Sequence, residues 1–301
     1  MRIVVRQMSG LGNQLFQYAA GVYFAGRYGA TLTISADPDP AAASLGSPRP
    51  FQLSTYQLTS ASQVRPASKL EQVLLTFNPR AQPAARILRT ILGTPLFVEP
   101  EPYHFYPDLP FPGRPRVVYL RAYWQAAGYA AGVEAQLRRE FTLKDPPTGR
   151  NLDVLHQIAA SACPVSLHIR RGDYLLGKDD LSLSLRYYHH ALEIVRRVHA
   201  APELFVFSDD MEYARQNLPR DLPLHFVDHN DNFTAYEDLR LMAACHHHVI
   251  ANSSFSWWGA WLNPRPEKLV IAPRNWAGNK PSFHPDLYPG GWKIIDNPPR
   301  E

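Results

Sequence analysis

The sequence is poor in cysteine and contains no long apolar segment. Cys163 and Cys245 are the only two cysteines among 301 residues, and both stand in apolar surroundings. Two cysteines make a poor disulfide framework and match no zinc-binding spacing, so we expect buried free thiols in a reducing compartment. The apolar residues 3–5 are interrupted by Arg6, and no stretch approaches about 18 apolar residues. We therefore expect a cytoplasmic protein with neither a signal peptide nor a membrane-spanning helix.

The sequence also lacks a strong charge imbalance. Its formal net charge is +4, from 31 basic and 27 acidic residues, and no run of five basic residues occurs. Nucleic acid is therefore not indicated as a partner, and the small excess suits a few arginines at a site for an anionic small molecule. The hydrophobic fraction of 45% is typical of a globular protein. The length predicts about two domains, and we place their boundary in the KDPPTG segment, which gives domains 1–148 and 149–301.

Two further chemistries are not indicated. The histidine run at residues 246–248 invites a metal site, but on an extended segment only His246 and His248 point to the same side. No carboxylate or cysteine stands at a suitable spacing, so we expect no bound metal and no cofactor. A Gly-x-Ser-x-Gly elbow is also missing, which argues against a nucleophilic serine.

The most informative stretch covers residues 165–174 and reads VSLHIRRGDY. Its apolar, β-branched first half predicts a buried strand that ends in a sharp turn. His168, Arg170, Arg171 and Asp173 stand at the carboxyl end of this strand, where open parallel sheets bind ligands. Two planar guanidinium groups suit phosphate oxygens, so we expect this turn to hold a phosphorylated ligand.

Strands and helices alternate along much of the chain. A strand at residues 3–8, a Gly-x-Gly-Asn turn and a helix to residue 28 form the opening of a Rossmann-like unit. The pattern predicts an α/β fold with parallel sheets. The predicted strands are 31–35, 117–123, 204–208, 224–227, 248–252 and 269–272, and the predicted helices include 67–77, 84–92, 128–141, 152–160, 185–199 and 233–245. For the last helix we expect Thr234 and Glu237 to form a capping box.

Two other predicted loops lie at the same sheet edge as the arginine turn. One carries Asp209 and Asp210, and the other carries the serine-rich segment 252–256 at a strand-to-helix turn. Serine hydroxyls and the N–H groups at a helix start bind phosphate, and a carboxylate can accept two hydrogen bonds from guanine but not from adenine. The set therefore favours a guanosine diphosphate. Structural alternatives stay open, namely an Arg170–Asp173 salt bridge and helix capping by the aspartates and serines.

The combination of motifs resembles a known family. HIRRGDY, together with GLGNQLFQYA at 10–19, FSDD at 207–210 and ANSSFSWWGAWLN at 251–263, is similar to the bacterial α-1,2-fucosyltransferases of glycosyltransferase family 11. The likeness runs from residue 6 to at least residue 276. It implies transfer of fucose from GDP-fucose, with inversion and without a metal, to the 2-hydroxyl of an acceptor glycan, usually at a galactose. It also implies a GT-B-like fold, in which two Rossmann-like domains face a cleft. The acceptor side is then N-terminal and the donor side C-terminal, with a C-terminal tail that can pack back on the first domain.

The resemblance also implies roles for particular residues. Arg170 and Arg171, with His168 close by, match the residues near the pyrophosphate, and Asp209 or Asp210 matches the position that reads guanine. Arg170 is the expected stabiliser of the leaving phosphate, whereas Asp173 is either the base or a brace for an arginine. The remaining donor-side residues are Asn252, Ser253, Ser254, Phe255 and Ser256, and the residues of the cleft and acceptor side are Gly12, Asn13, Gln14, Tyr123, Trp124 and Gln125.

The acceptor side departs from the family pattern. After Gln125 the chain reads Ala-Ala-Gly-Tyr where relatives often carry Ser-Glu-Lys-Tyr. The rings of Tyr123 and Trp124 suit either a protein core or the wall of a sugar site. Fucosyl transfer in another linkage, another GDP-sugar as donor, and non-catalytic binding of a nucleotide sugar or glycan stay open as alternatives.

Overall fold

The computed structural model of this chain describes residues 1–36, 49–75, 82–98, 101–111, 113, 115–176, 180–277 and 282–297. These residues form two compact units. The first unit contains the chain up to Lys144 together with Asp286–Pro289, and the second contains Asp145–Pro285 and the segment from Gly290 onwards. Each unit is built on a parallel sheet with helices, which confirms the predicted α/β, GT-B-like fold class. The assignment of residues 1–148 to the acceptor and 149–301 to the donor stays a prediction.

The first sheet has five parallel strands in the order β3-β2-β1-β5-β4. Its central strand is fully buried at Ile3, Val4 and Val5, as expected for a parallel sheet that is covered on both faces. The strands are β1 Arg2–Arg6, β2 Thr31–Ser35, β3 Ala61–Arg65, β4 Leu96–Phe97 and β5 Val117–Leu120, and the helices of this unit are α1 Leu11–Tyr28, α2 Lys69–Leu74, α3 Gln82–Leu92, α4 Ala127–Gly132 and α5 Glu134–Glu140.

Helix α1 packs closely on the first sheet through a glycine. A Cβ atom at Gly21 would lie 2.8 Å from Cγ2 of Val5 and 2.9 Å from Cδ1 of Leu32. Any larger residue would push the helix away from the two central strands. The close approach positions the turn before α1 at the carboxyl end of β1.

The second sheet has six parallel strands in the order β11-β10-β9-β6-β7-β8. Strand β6 is buried along its whole length and pairs with β7 on one side and β9 on the other. The strands are β6 Pro164–Ile169, β7 Glu203–Ser208, β8 Leu224–Val227, β9 His247–Val249, β10 Val270–Pro273 and β11 Lys293–Ile295, and the helices are α6 Gly149–Ala160, α7 Leu185–Val198, α8 Met211–Asn217, α9 Ala235–Ala244 and α10 Ser254–Leu262.

Several sequence-based predictions of local structure were wrong. Strands β3, β4 and β11 were missed, because β3 is largely exposed and the other two are only two or three residues long. The predicted helix 128–141 is interrupted at Val133, whose φ of −136° and ψ of 28° end α4 before α5 begins. The capping box of α9 does not form, since the Thr234 hydroxyl donates to Asp231 instead.

Other predictions agree with the structure. Helix α1 ends at the predicted residue 28, although it begins at Leu11, inside the segment predicted as a glycine turn. The strands 31–35 and 224–227 have the predicted bounds, and Cys163 and Cys245 are buried free thiols. Two predictions fall partly outside the described residues. These are the last two residues of the predicted helix 67–77 and residues 37–48 of the loop expected at 36–50. No described helix combines the length and the apolarity that crossing a bilayer requires.

Candidate functional site

Three loops meet at the carboxyl edge of the second sheet. They follow β9, β6 and β7, which are neighbours in that order. Strand β6 is the first strand of its unit, and the chain adds strands first on one side of it and then on the other, so the gap between β6 and β9 is a topological switch point. The loops that carry the predicted site residues are therefore brought together, as the sequence indicated.

Arg170 is held by two carboxylates. Its Nη2 lies 2.6 Å from Oδ1 of Asp173, and its Nη1 lies 3.1 Å from Oδ2 of Asp209. Burial opposes the charge of this guanidinium, but Asp209 and Asp173 outweigh the burial and hold its pKa above the ordinary value. Arg170 is therefore a fixed, permanently charged donor at the end of β6.

Arg171 is anchored from a different direction. Its main-chain N–H donates to Oδ1 of Asp209 at 2.8 Å, and its Nε donates to Oδ2 of Asp210 at 3.0 Å. The guanidinium lies 3.5 Å from the centre of the Tyr213 ring, which adds a cation–π contact. Its buried Nη1 makes no hydrogen bond within the described part of the chain, so this N–H can serve an anionic ligand.

The two aspartates after β7 have structural roles that the sequence left open. Asp210 is the N-cap of α8 and accepts a hydrogen bond from the Tyr213 N–H at 3.1 Å. Asp209 joins the two arginines, as described above. A Cβ atom at Gly172 would lie 2.7 Å from Oδ2 of Asp209. The glycine in the Arg-Arg-Gly-Asp turn is therefore needed to admit this carboxylate.

His168 lies beneath the turn as a neutral, buried imidazole. Burial lowers its pKa to about 3, and the charge of Arg170 lowers it further. The ring faces Phe255, with ring centres 5.7 Å apart. Its buried Nδ1 has no hydrogen-bond partner among the residues described. A neutral imidazole in this position can donate one hydrogen bond and accept another.

The loop after β9 is organised by Asn252. Its Nδ2 donates to the carbonyls of Leu181 at 2.9 Å and Trp276 at 3.1 Å. The main-chain carbonyl of Asn252 accepts from the Tyr174 hydroxyl at 2.8 Å. Asn252 is thus a buried cross-brace for three segments, and its amide nitrogen is already used within the protein.

The serines after Asn252 begin helix α10. The Ser253 hydroxyl caps the helix by accepting from the Phe255 N–H at 3.3 Å, and the Ser256 hydroxyl donates to the Ser253 carbonyl at 3.4 Å. Both serines are buried, whereas Ser254 and Phe255 are half-buried. The capping alternative therefore holds for Ser253, and Ser254 and Phe255 are the residues that remain more open to a ligand.

Two tyrosines at this edge were not singled out from the sequence. The ring centre of Tyr174 lies 5.5 Å from the guanidinium carbon of Arg170, and the ring of Tyr213 contacts the guanidinium of Arg171. Tyr174 ends the HIRRGDY motif, and Tyr213 follows Asp210 by three residues. Only an explicit search for aromatic partners of the two arginines could have found them.

The predicted acceptor-side residues gather at the carboxyl edge of the first sheet. The Gly10 turn leads into α1, and the Asn13 side chain accepts a hydrogen bond from Nε2 of Gln125, which brings the two predicted loops into contact. Gly12 and Gln14 are buried. The Gln14 amide is occupied by the carbonyls of Ser9 and Pro50 and by the Gln52 N–H, so Gln14 braces the protein rather than facing a ligand.

The two rings after β5 separate into different environments. Trp124 is 1% exposed and packs edge-on against Phe24 and Tyr129, so its ring belongs to the core. Tyr123 is 46% exposed. Trp124 also has a φ of 56°, an unfavourable backbone conformation for a residue with a side chain. Of the two, Tyr123 alone is available as a wall for a sugar.

The histidine run is occupied by the protein itself. Nδ1 of His248 is bonded to the Ser166 hydroxyl at 2.7 Å, and its Nε2 to the Asn263 amide at 2.8 Å. His248 is therefore a satisfied core histidine and not a partner for His246 at a metal.

A different group does bring possible metal ligands together. Atoms of Cys163, His199 and His247 lie within 4.8 Å of one another at the amino edge of the second sheet, opposite the three loops. The Leu269 N–H donates to Nδ1 of His247 at 3.0 Å, so Nε2 carries the proton and is not free as a ligand. Independence from metal stays a prediction.

Comparison with known proteins adds to this geometry. The profile of glycosyl transferase family 11 matches residues 107–296, which include all three loops of the second sheet. The chain belongs to glycosyl transferase family 11. The resemblance drawn from the motifs is thereby confirmed.

Similar proteins from bacteria and primates fit this membership. The family 11 chain is 38% identical over 130 residues to the O-antigen biosynthesis glycosyltransferase WbnK of Escherichia coli, covering 42% of this chain and 43% of WbnK. It is 34% identical over 184 residues to an alpha-1,2-colitosyltransferase of E. coli, covering 58% and 61%. Human galactoside alpha-(1,2)-fucosyltransferase 1 is 29% identical over 138 residues, covering 42% and 38%. The matches thus span about half the length of these relatives.

The fold of the family 11 chain is similar to that of a solved fucosyltransferase. The structure of the NodZ alpha-1,6-fucosyltransferase soaked with GDP-fucose superposes with a TM-score of 0.56 and 14% identity, covering 90% of this chain and 94% of NodZ. A NodZ structure co-crystallised with GDP gives a TM-score of 0.54. At this identity the likeness concerns the fold.

Proposed function

We propose that this chain is an inverting, metal-independent fucosyltransferase, which moves fucose from GDP-fucose to the 2-hydroxyl of an acceptor glycan that ends in galactose. The observation that carries the proposal is the pair of arginines at the end of β6, fixed by carboxylates and flanked by two further loops, in a family 11 chain. The alpha-1,2 linkage in the names of the relatives and the GDP-fucose soaked into NodZ support the choice of linkage and donor.

The arginines would carry the electrostatic part of the reaction. As the bond between fucose and GDP breaks, negative charge develops on the β-phosphate. Without a divalent cation, fixed donors must stabilise that charge. The Nη1 of Arg171 is available for this purpose, and Arg170 is held in place by its two carboxylates.

The ion pair between Arg170 and Asp173 favours a bracing role for Asp173 over that of a base. An acceptor hydroxyl that attacks from the opposite face needs only a weak base when the transition state resembles an oxocarbenium ion. Oδ1 of Asp173 lies 2.6 Å from Nη2 of Arg170, so this carboxylate oxygen is already engaged by the arginine. We therefore assign Asp173 to orienting Arg170.

The guanine would be read beside the loop after β7. Both Asp209 and Asp210 bind arginines, so a carboxylate that reads guanine must keep a lone pair on each oxygen for the two guanine N–H donors while it binds its arginine. Asp210 is the more exposed of the two, with 31% of its side chain accessible against 24% for Asp209. We assign guanine to Asp210.

The test is transfer of labelled fucose from GDP-fucose to lactose by the purified protein, with the linkage determined by NMR. We expect a new alpha-1,2-linked fucose, and the same rate after treatment with EDTA. Tight binding of GDP-fucose without transfer to a panel of galactose-ended glycans would favour a binding protein instead. Loss of activity in EDTA that Mn²⁺ restores would refute metal independence.

A second donor has a specific observation in its favour. The relative with the longest of the three matches given above is named a colitosyltransferase. Colitose is the 3-deoxy analogue of fucose, so the two donors share the GDP moiety and differ by one hydroxyl. Competition between GDP-fucose and GDP-colitose in the same assay decides between them. The cytoplasmic location stays a prediction.

A further inference from the structure

Two short helices of the first unit expose aliphatic side chains on their outer surface. On α3, Ile87 and Ile91 are 62% and 75% exposed, and their spacing of four residues puts them on the same face. On α2, Leu70 and Val73 are 49% and 45% exposed. We call these four residues the aliphatic set. A single exposed apolar side chain is ordinary on a protein surface, whereas several on neighbouring helices indicate a site of interaction.

The two helices lie beside each other and pack on the first unit through their inner sides. Leu74, at the end of α2, is buried, and Leu88 of α3 packs against the same core cluster. Nη1 of Arg89 donates to the main-chain carbonyl of Leu74 at 2.5 Å. Ala85, one turn before Arg89, is also buried. The core therefore takes one side of each helix, and the aliphatic set lies outside this packed side.

The charged residues that these helices expose are cationic. Arg86 of α3 and Lys69 of α2 are both exposed. The one acidic residue in the sequences of the two helices, Glu71, is 3% exposed and is bound by Arg65. The connecting sequence at 75–81 contains no acidic residue either. Over the described residues of α2 and α3, the outer surface thus combines aliphatic side chains with positive charge and exposes no carboxylate.

This combination suits a lipid bilayer better than a protein partner. Helices that lie in the membrane interface insert an apolar face below the headgroups, while lysine and arginine reach back to anionic lipids. Protein interfaces depend on aromatic anchors, and neither α2 nor α3 contains an aromatic residue. A symmetric dimer through this face would bring the cations of one copy against those of the other. Charge complementarity therefore favours an anionic bilayer as the occupant of this face.

We propose that the outer face of α2 and α3 binds the surface of an anionic membrane. The aliphatic set enters the boundary between headgroups and acyl chains, and Arg86 and Lys69 contact the lipid phosphates. The contact is peripheral, because four side chains on two short helices reach only the outermost part of the bilayer. The proposal does not depend on the proposed function, since membrane binding requires neither a sugar donor nor an acceptor.

The first experiment measures binding to vesicles. The purified protein is sedimented with sucrose-loaded vesicles of phosphatidylcholine alone, or of equal parts of phosphatidylcholine and phosphatidylglycerol. We expect clearly stronger binding to the anionic vesicles, and weaker binding as salt is added. The double variant Ile87→Gln, Ile91→Gln should lower the partition coefficient about tenfold, because two apolar side chains no longer enter the bilayer. Its melting temperature should be unchanged, since both positions are exposed.

A third substitution tests the charge, and two controls match the variants. Arg86→Gln should weaken binding to the anionic vesicles about fivefold, as expected for one basic residue near a negative surface. Arg197→Gln removes the same charge from helix α7 of the second unit, where the side chain is 78% exposed. Val198→Gln replaces a valine that is 60% exposed on the same helix. Both controls should bind vesicles as the unmodified protein does.

Several results would overturn the proposal. Absence of binding to both kinds of vesicle would do so, as would full binding by the double isoleucine variant or an equal loss in Val198→Gln. Equal binding to neutral and anionic vesicles would refute the role of charge. Ile91→Gln alone keeps the test decisive should the double variant fail to fold.

A second experiment tests the other occupant of this face. The mass of the unmodified protein and of the double isoleucine variant is measured by gel filtration with light scattering. We expect the same mass for both proteins, because the face binds lipid and not a second copy. A dimer that the two substitutions convert to a monomer would assign the face to a second copy of this chain and overturn the proposal.

Discussion

The carboxyl edges of the two sheets hold their arginines in opposite ways. On the second sheet, Arg170 and Arg171 are fixed by three carboxylates, those of Asp173, Asp209 and Asp210. On the first sheet, Arg6, Arg89 and Arg121 direct hydrogen bonds to the main-chain carbonyls of Leu74 and Leu75.

The difference shows what a set of positive charges is arranged to do. Carboxylates hold a guanidinium in one geometry and keep it charged, which suits a group that must be in place when charge develops in a transition state. Main-chain carbonyls orient a guanidinium through neutral acceptors, and here they tie the ends of β1 and β5 to the end of helix α2. We interpret the first arrangement as serving the proposed catalysis and the second as bracing the end of helix α2.

The largest effect is expected from Arg170→Ala. Loss of one fixed donor to a developing oxyanion typically costs about 3–4 kcal/mol, or 10²–10³ in kcat. Fucose transfer should fall by at least that factor, while circular dichroism shows a folded protein. Arg196→Ala, which removes an exposed ion pair with Asp221 in the same unit, should leave kcat unchanged. Near-normal turnover of Arg170→Ala would contradict the catalytic role that we assign to the arginines of the second sheet.

An intermediate effect, on stability, is expected from a substitution of Glu71 in the first turn of helix α2. Glu71 binds Arg65 through both carboxylate oxygens, at 2.6 and 2.8 Å, and lies 3.6 Å from Arg2. The hydrogen bonds from Arg65 outweigh burial and lower the pKa of Glu71 to about 2. Its contribution to stability is therefore present above pH 4.5 and is lost as the pH falls towards 2.

Glu71→Gln should lower the free energy of unfolding by about 3 kcal/mol at pH 7. The difference from the unmodified protein should shrink below pH 4.5 and vanish near pH 2, as measured by urea unfolding at several pH values. Glu134→Gln, which breaks an exposed pair with Arg138, should cost less than about 0.5 kcal/mol. A difference that does not depend on pH would show that the charge of Glu71 contributes nothing.

The smallest effect is expected from Gly172→Ala, which tests how closely the carboxylates position the arginines. The new methyl group would meet Asp209 at 2.7 Å and displace the carboxylate that binds both Arg170 and the Arg171 N–H. We expect about a tenfold loss of kcat, or roughly 1.4 kcal/mol, in a protein that unfolds at nearly the same temperature.

Gly26→Ala is the control for this substitution. A Cβ atom at Gly26 meets nothing within 4 Å, and the residue lies in helix α1, where alanine is favoured by about 0.5–1 kcal/mol. Its kcat should be unchanged. Equal kcat values for the two variants would mean that Asp209 does not position the arginines.

Much of the second sheet could be predicted from the sequence. The buried strand β6 is a continuous apolar run, and polar residues follow it, β7 and β9 at their carboxyl ends. Parallel pairing alone then brings His168, Arg170, Asp209 and Asn252 to one edge. The short strands β4 and β11 could not be predicted, because two or three residues carry no measurable periodicity.

The roles of the individual side chains were harder to predict from the sequence. The serines after β9 have the composition of a phosphate site, yet Ser253 and Ser256 bond within their own helix start. Trp124 could be assigned to the core only once its neighbours Phe24 and Tyr129 were known. A sequence pattern assigns a residue to a strand, helix or loop. Its hydrogen-bond partners, however, come from segments that are far apart in the sequence.

The alternation of strands and helices, the edge at which the candidate site lies and the family of the chain can all be inferred from the amino-acid sequence. These properties follow from local periodicity and from short motifs. Two arrangements become visible only in the folded protein: Asp209 links the two arginines that follow β6, and Arg6, Arg89 and Arg121 converge on the end of α2. Such contacts join residues that lie from 15 to 69 positions apart, and no local pattern records the packing that brings them together.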